Sequence, residues 1–592
     1  MAHLVVLLCF CIAKRTVGYK DAFANGKIFV EMENSMQNEK EQKIRLLRIL
    51  FFISPFLAGL YHELTCGLFS ACLVIWLFLY GRKKQIYLWN NTAALAVLIF
   101  FLAYLITPLW AVDQGLSVWG VAKALPVLLF SVCLMQLERT ERQVILCDLP
   151  LMGCIMTAAS CVLQLVPSLS DYLMINGRLS GFFQYPNTFA CFLLLGLEVL
   201  VFDERHNKKI KIAEAMLLAF GFFQAGSRTA LIIAIAALAT CLILRKNKGS
   251  ALLLVSGILA GFLANICVAS IATHSSLEHM LNISTDASTF LGRLLYWKDA
   301  LPVIIKHPFG LGYLGYYFAQ GTFQTGVYSV RWIHNDLLQF LLDIGWIPAV
   351  ICLLAIWRTF RSRNIPPWQK IVMLTLLAHA FCDFDLQYVS MFLILLLTLD
   401  WESGKRTILK CNRFFAGASA VAVIASLWVG SSSLMTTVGR DAAAVRIYPW
   451  NTFSQLQLLT EDTDIIAFAE RSAQIIRHNS YSAVAWDAQA IVAQQQGDYS
   501  AVVYAKRKAI SCNQYDLAEY TDYLDKLLAG AEQYNQAGQM ENAQLCLQEA
   551  QQIPLYLADV QAKTSALAWK ITDKPQLELP QEYMNKLAAL RK

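Results

Sequence analysis

Long apolar runs return throughout this chain, and short loops rich in lysine and arginine separate them. Runs of roughly 16 to 25 apolar residues are long enough to cross a bilayer as helices, where every backbone polar group must be satisfied within the segment. That alternation confines the chain to one class, the polytopic α-helical membrane proteins. Charged residues make up only 15% of it, against nearer a quarter in soluble domains. The net charge of +7 sits largely in the inter-span loops, so it reports orientation and not a nucleic-acid partner.

The spans are predicted at 47–62, 65–81, 91–110, 119–136, 145–167, 187–203, 211–226, 229–245, 251–272, 333–357, 369–383, 386–401 and 413–434, within an expected 12–14. The basic loops "KIRLLR", "GRKK", "ERTER", "RHNKKIK", "RKNK", "RTFRSR" and "GKRTILKCNR" then all fall on one side, which the positive-inside rule assigns to the cytoplasm. Residues 1–46 are expected to be a cytoplasmic tail. It opens with an apolar run too short to span, read as an interfacial segment or an over-long start, and continues with the disordered polar stretch "EMENSMQNEKEQK". Most of the 16 cysteines fall inside apolar runs and no C-x-x-C pair occurs, so they read as small apolar side chains.

Polar residues of chemical interest gather on the opposite side. His334, Asn335 and Asp336 open an otherwise apolar helix in "RWIHNDLLQFLLDIGW", and hydrocarbon offers such groups no partner. The helix mouth must therefore face a polar cavity. Arg228 stands at the outer end of a hairpin, and His379 and Asp383 are four residues apart on one predicted helix face. A long external segment, 273–332, completes that side. Beyond Asp441 the chain turns polar and Gln/Ala-rich. Here "RHNSYSAVAW" and "SCNQYDLAEY" repeat with Asn513 falling 34 residues after Asn479, the tetratricopeptide period. An extracytoplasmic helical repeat domain is expected over 441–592.

Four ordered motifs carry a resemblance. "GRLSGFFQYPNTFACFLLL", "GSRTALI", "GRLLYWKDALPVIIKHPFGLG" and "HNDLLQFLLDIGW", followed by "AHAFCDFDLQ", resemble the O-antigen ligase/polymerase-like membrane glycosyltransferases over roughly residues 90–400. The resemblance implies a glycosyltransferase C-like membrane fold. It also implies a glycan donor on a polyprenyl diphosphate such as undecaprenyl diphosphate, and an acceptor hydroxyl on lipid, wall polymer, sugar or protein. Its motifs fall most directly on Arg228, Arg293 and His334.

The chemistry needs fixed positive charge on the departing diphosphate and a partner for the attacking hydroxyl. Arg228 and Arg293 are assigned to the diphosphate and His334 to the acceptor. Arg178, Arg331, Asn335, Asp336, His379 and Asp383 are expected to contact substrate or orient His334. No cofactor or metal is expected, although His334, Asp336, His379, Asp383 and Asp385 are candidate ligands if one were used.

Blander readings exist for each residue. Arg228 is otherwise an interfacial anchor, Arg293 a lipid-phosphate contact on an amphipathic segment, His334 a solvated helix end, and His379 with Asp383 a structural pair. Asn187 reads as packing. Competing functions are repeat-unit polymerisation, glycan transport, which predicts ionisable groups near mid-membrane, and a receptor built on the repeats.

Overall fold

The structure, a computed structural model, describes residues 29–81, 86–205, 207–245, 248–269, 288–409 and 413–590. The apolar N-terminal run and residues 273–287 of the external segment lie outside them. Contacts divide the chain into two units, 1–46 and 47–592. The fold is all-α, with two short antiparallel ladders among the described residues. Among the described residues five helices are long and apolar enough to cross a membrane: Glu63–Tyr80, Thr92–Leu109, Gln114–Leu134, Arg139–Leu163 and Phe415–Thr437. Pro186–Phe202, Arg228–Leu244, Leu254–Val268 and Val389–Thr398 are shorter apolar helices. The chain is an all-α polytopic membrane protein.

Three expectations about spans change. The polar stretch 31–43 is not irregular; it lies within helix Phe29–Ile53, consistent with its content of the helix formers Glu, Gln, Lys and Met. The predicted span 47–62 stops at Ile53 and continues as two 3-10 turns, Ser54–Phe56 and Ala58–Leu60. Pro55 starts the first turn, and Ala58, Gly59 and Leu60 all take positive φ, which no α-helix permits. The span 333–357 breaks at Gly345 (φ 85°) into Asp336–Ile344 and Trp346–Arg361. A Cβ at Gly345 would collide with the backbone of Pro308, so the loop end at 308 fixes the break. The nine-residue first piece is about 13 Å long, too short to cross.

The basic loops do share one face. Ile86–Asn90 pairs antiparallel with Lys405–Leu409, joining the chain after "GRKK" to "GKRTIL". Arg406 lies 4.2 Å from the Tyr87 ring centre in that ladder. Arg139 and Arg142 both donate to Glu402 at 2.8 Å, and Arg48 pairs with Asp148, which Arg205 also approaches. Each contact bridges loops placed on the same side by the distribution of Lys and Arg.

At the other end the chain after Asp441 folds against the membrane helices. The helix pair Ile465–His478 and Ala483–Gln495 recurs as Tyr499–Cys512 and Leu517–Gln536, with starts moving from 465 to 499 and from 483 to 517. Tyr520, Tyr523, Leu524 and Leu527 fill its core. Asp113 anchors the junction: buried, it accepts from Thr452 Oγ1 (2.5 Å), Asn479 Nδ2 (2.9 Å) and the N–H of Leu116 (2.7 Å). Burial pushes its carboxyl up to about 6, against those three hydrogen bonds. A second contact reaches helix Ser288–Lys306. There Leu295 packs with Ala568 and Ile571, and Lys298 Nζ lies 3.0 Å from Ser565 Oγ.

Ionisable groups are not confined to that end of the membrane helices. Lys123 is buried midway along helix Gln114–Met135, and Glu198 is buried in Pro186–Phe202 with Thr375 Oγ1 donating to it at 2.6 Å. The expectation that charged residues cluster at one face alone is therefore corrected.

Candidate active site

His334 follows a bend at Arg331 and Trp332 and takes φ 51°. For a residue bearing a Cβ this left-handed conformation costs of order 1 kcal/mol or more. The surroundings enforce it. Gln339 Oε1 accepts from the Ile333 N–H at 3.1 Å, and the Ile333 carbonyl accepts from Trp297 Nε1 at 2.9 Å. Asn335 then caps helix Asp336–Ile344 by accepting from the Leu338 N–H at 3.0 Å. The turn swings the imidazole out of the helix line to meet the loop between helix Pro367–Ala380 and Val389–Thr398.

Asp383, three residues beyond the end of helix Pro367–Ala380, is the hub. Its Oδ1 lies 3.2 Å from His334 Nδ1 and accepts from Tyr185 OH (2.9 Å) and the Phe384 N–H (3.1 Å). Its Oδ2 accepts from Asn187 Nδ2 (2.8 Å) and lies 3.5 Å from Arg293 Nη2. Arg293, on helix Ser288–Lys306, also donates to the Cys382 carbonyl at 2.6 Å. Burial alone would raise the Asp383 carboxyl, but the His334 hydrogen bond and the Arg293 charge outweigh it and hold the group well below the usual carboxylate range. For Arg293 burial pulls down, and the facing Asp383 carboxylate reverses the sign and holds the guanidinium above its ordinary value. The pair is ionised.

Asp383 is 0% exposed at its side chain, while His334 keeps 24% and Arg293 20%. The carboxylate is sealed, and both groups it holds reach open space. Arg293 Nη2 also lies 3.4 Å from His334 Nδ1. Both cannot claim that nitrogen: a proton on Nδ1 serves Asp383, whereas a bare Nδ1 would turn its lone pair on the carboxylate. The first tautomer is the consistent one, and it leaves Nε2 unprotonated.

Arg178 enters through Asn187, donating to its Oδ1 at 2.6 Å and to the Ala225 carbonyl at 2.8 Å. Burial pulls its guanidinium down; Tyr185 and Asp383 oppose that, and the positive charge of Arg228 adds to it. Arg228, the first residue of helix Arg228–Leu244 after the Ser227 cap, is therefore within electrostatic reach of Arg178.

The remaining predicted residues divide. Asp336 spends its carboxylate on the Leu386 N–H (2.7 Å) and Gln387 Nε2 (3.3 Å), and Asn335 spends its side-chain oxygen on the cap. Neither touches the His334 ring. His379 pairs with Asp385 at 2.5 Å, not with Asp383, and both are fully buried. Thr188 Oγ1 completes that pair by donating to Asp385 at 2.7 Å. Arg331 stands apart, its guanidinium 5.5 Å from the ring centres of both Trp332 and Phe453. The five-residue metal set is not assembled: among the described residues the one cluster with convergent ligand atoms is Cys191, His379 and Asp385, beneath the open site.

Tyr185 and Asn187 were missed as site residues. Both come from "QYPN", where Pro186 starts a helix and turns the residues beside it toward Asp383. A proline-initiated helix with polar residues on either side of the proline was the available signal.

Residues 214–354 match the family model described as O-antigen ligase. The chain carries an O-antigen ligase-like domain. No curated protein and no solved structure matches it. The ligase match holds Arg228, Arg293, Arg331 and His334 and ends before Asp383, so the hub lies outside it, on the turn after helix Pro367–Ala380. A ligase- or polymerase-type membrane enzyme is the function this family supports.

Proposed function

We propose that the chain transfers a glycan from a polyprenyl diphosphate, without a metal, to an acceptor hydroxyl at the outer face of the plasma membrane. The observation that carries this reading is Asp383: one sealed carboxylate holds an imidazole and a guanidinium that both reach open space. Arg293, with Arg178 and Arg228 nearby, supplies positive charge for the diphosphate. The acceptor oxygen attacks the anomeric carbon, and the bond from that carbon to the phosphate oxygen breaks. The hydroxyl proton passes to His334 Nε2, and the diphosphate leaves with the bonding electrons on its lipid. Single displacement inverts the anomeric centre. Asp383 orients the ring and offsets the imidazolium that forms.

A hydrocarbon-tailed donor is supported by a cavity of about 260 Å³ whose lining is nearly all apolar. It reaches from Asp336 and Leu386 beside the site, past Phe340 and Phe392, to Leu399. The shared face of the basic loops supports a cytoplasmic assignment for that side. The 34-residue recurrence of helix pairs supports a tetratricopeptide-like extracytoplasmic domain over 441–592.

Transfer from purified polyprenyl-diphosphate glycan in nanodiscs tests the reading. Arg293→Ala and His334→Ala should both lose transfer, with His334→Ala still binding the lipid diphosphate. Full transfer by both variants refutes the assignment.

A further inference from the structure

A second cluster is connected to His334 through neighbouring rings. A row of rings leads to it: His334 to Phe384 (5.1 Å), Phe384 to Tyr388 (6.3 Å), Tyr388 to Tyr61 (5.0 Å) and Tyr61 to His62 (5.5 Å). Trp332 Nε1 donates to Tyr61 OH at 2.9 Å, fixing the loop that carries Arg331. The Arg331 guanidinium lies between Trp332 of this loop and Phe453 of the C-terminal domain. Phe453 packs in turn on Tyr317 and Phe318 at 5.9 and 5.7 Å. Arg331 is exposed to solvent, with its guanidinium beside these rings. No carboxylate lies within ion-pairing distance of it among the described residues. Glu63, the nearest acid, is buried and accepts from Ser433 Oγ at 2.6 Å.

A lysine is buried behind these rings. Lys123 Nζ sits 4.6 Å from the Tyr61 ring centre, buried and with no hydrogen-bond partner among the described residues. Tyr61, His62, Tyr317 and Phe453 are all half-buried, so their rings offer flat apolar faces beside a guanidinium. Arg331 is three residues from His334 along the chain, which limits their Cα separation to about 11 Å at most. That span suits the next sugar of a bound glycan, not the reacting atoms.

We infer that Arg331, with Tyr61, His62 and Phe453, forms a second subsite that takes an acceptor glycan carrying an anionic group, its sugar ring stacked on the aromatic faces. Calling the ligand an acceptor rests on the transferase reading above; the anion site itself does not. The C-terminal domain then supplies part of the substrate site through Phe453. A neutral acceptor, or an anion held at the donor site, is the competing outcome.

The test uses the full chain in nanodiscs with glucose 1-phosphate and glucose as probes, followed by calorimetric titration. Saturable binding of the phosphorylated sugar is expected. It should weaken at least tenfold in Arg331→Gln and in Phe453→Ala, and survive in Arg293→Gln. Equal binding of glucose, absence of saturable binding, or loss in Arg293→Gln with retention in Arg331→Gln overturns the inference. In the transfer assay Arg331→Gln should raise the acceptor KM at least tenfold and leave the donor KM unchanged; the reverse split also overturns it. A wild-type chain that binds the probe through Arg331 but transfers from no polyprenyl diphosphate sinks the transferase reading alone.

Discussion

Two Asp–His pairs sit two residues apart on one turn, and they differ in almost everything but composition. Asp383 meets His334 at 3.2 Å, and the ring remains 24% exposed. Asp385 meets His379 at 2.5 Å with both side chains fully buried. The outer carboxylate gathers groups from four elements: Tyr185 and Asn187, Arg293, His334 and its own loop. The inner one ties two helices through His379 and Thr188. Accessibility, not residue type, separates a pair able to meet substrate from one that braces the turn beneath it.

Kinetics should separate the pairs most sharply. His334→Ala should cut transfer by about 10²–10⁴-fold, the usual range for a positioned acid–base group, with little change in thermal unfolding. His379→Ala should do the opposite. It leaves the buried Asp385 without its partner, a loss of about 3–5 kcal/mol of stability, measurable by thermal melting in detergent. A double His379→Leu, Asp385→Leu variant removes both buried polar groups and should recover much of that loss. If His334→Ala were the variant that failed to fold while His379→Ala lost only activity, the roles would have to be exchanged.

Proton linkage sharpens the comparison further. Asp383 titrates below the ordinary carboxylate range when folded, so the folded state holds fewer protons than the unfolded chain near pH 4. Its stabilisation is complete above the unfolded value of about 4 and disappears as pH falls through the lower folded value. The stability gap between wild type and Asp383→Asn should therefore be constant from pH 8 to about 5 and shrink below that. Asp113 has the reverse sign. Its folded value of about 6 lies above the unfolded one, so protonation favours the folded junction. Relative to Asp113→Asn, wild type should gain about 1 kcal/mol between pH 7 and pH 5, read as a rise in Tm. A flat difference would place Asp113 outside the junction's energetics.

Much of this architecture was legible in the chain, but unevenly. Hydropathy and the basic loops identified the membrane class, and Arg139, Arg142 and Arg406 bear out the shared face through contacts between distant loops. Periodicity could not see breaks made by tertiary contact: Gly345 ends a helix because Pro308 packs against it, a neighbour 37 positions away in sequence. At the site, His334 and Arg293 were visible as residue types in known motifs. Their partner was not. Spacing suggested Asp383 for His379, yet the helix stops at Ala380 and the turn hands His379 to Asp385 instead. The role of Asn187 was hidden for a similar reason, since its bond to Asp383 joins segments nearly 200 residues apart.

The docking of Leu295 against Ala568 and Ile571 also sets an order of events during synthesis. Arg293 leaves the ribosome about 270 residues before its helix's outer support does, a delay on the order of tens of seconds at ordinary elongation rates. During that interval the membrane helices can insert and Asp383 can meet His334, but the arginine helix lacks its buttress. The helix that carries Arg293 thus gains this support only once residues 568–571 have been made, and a chain cut short before Ala568 lacks it.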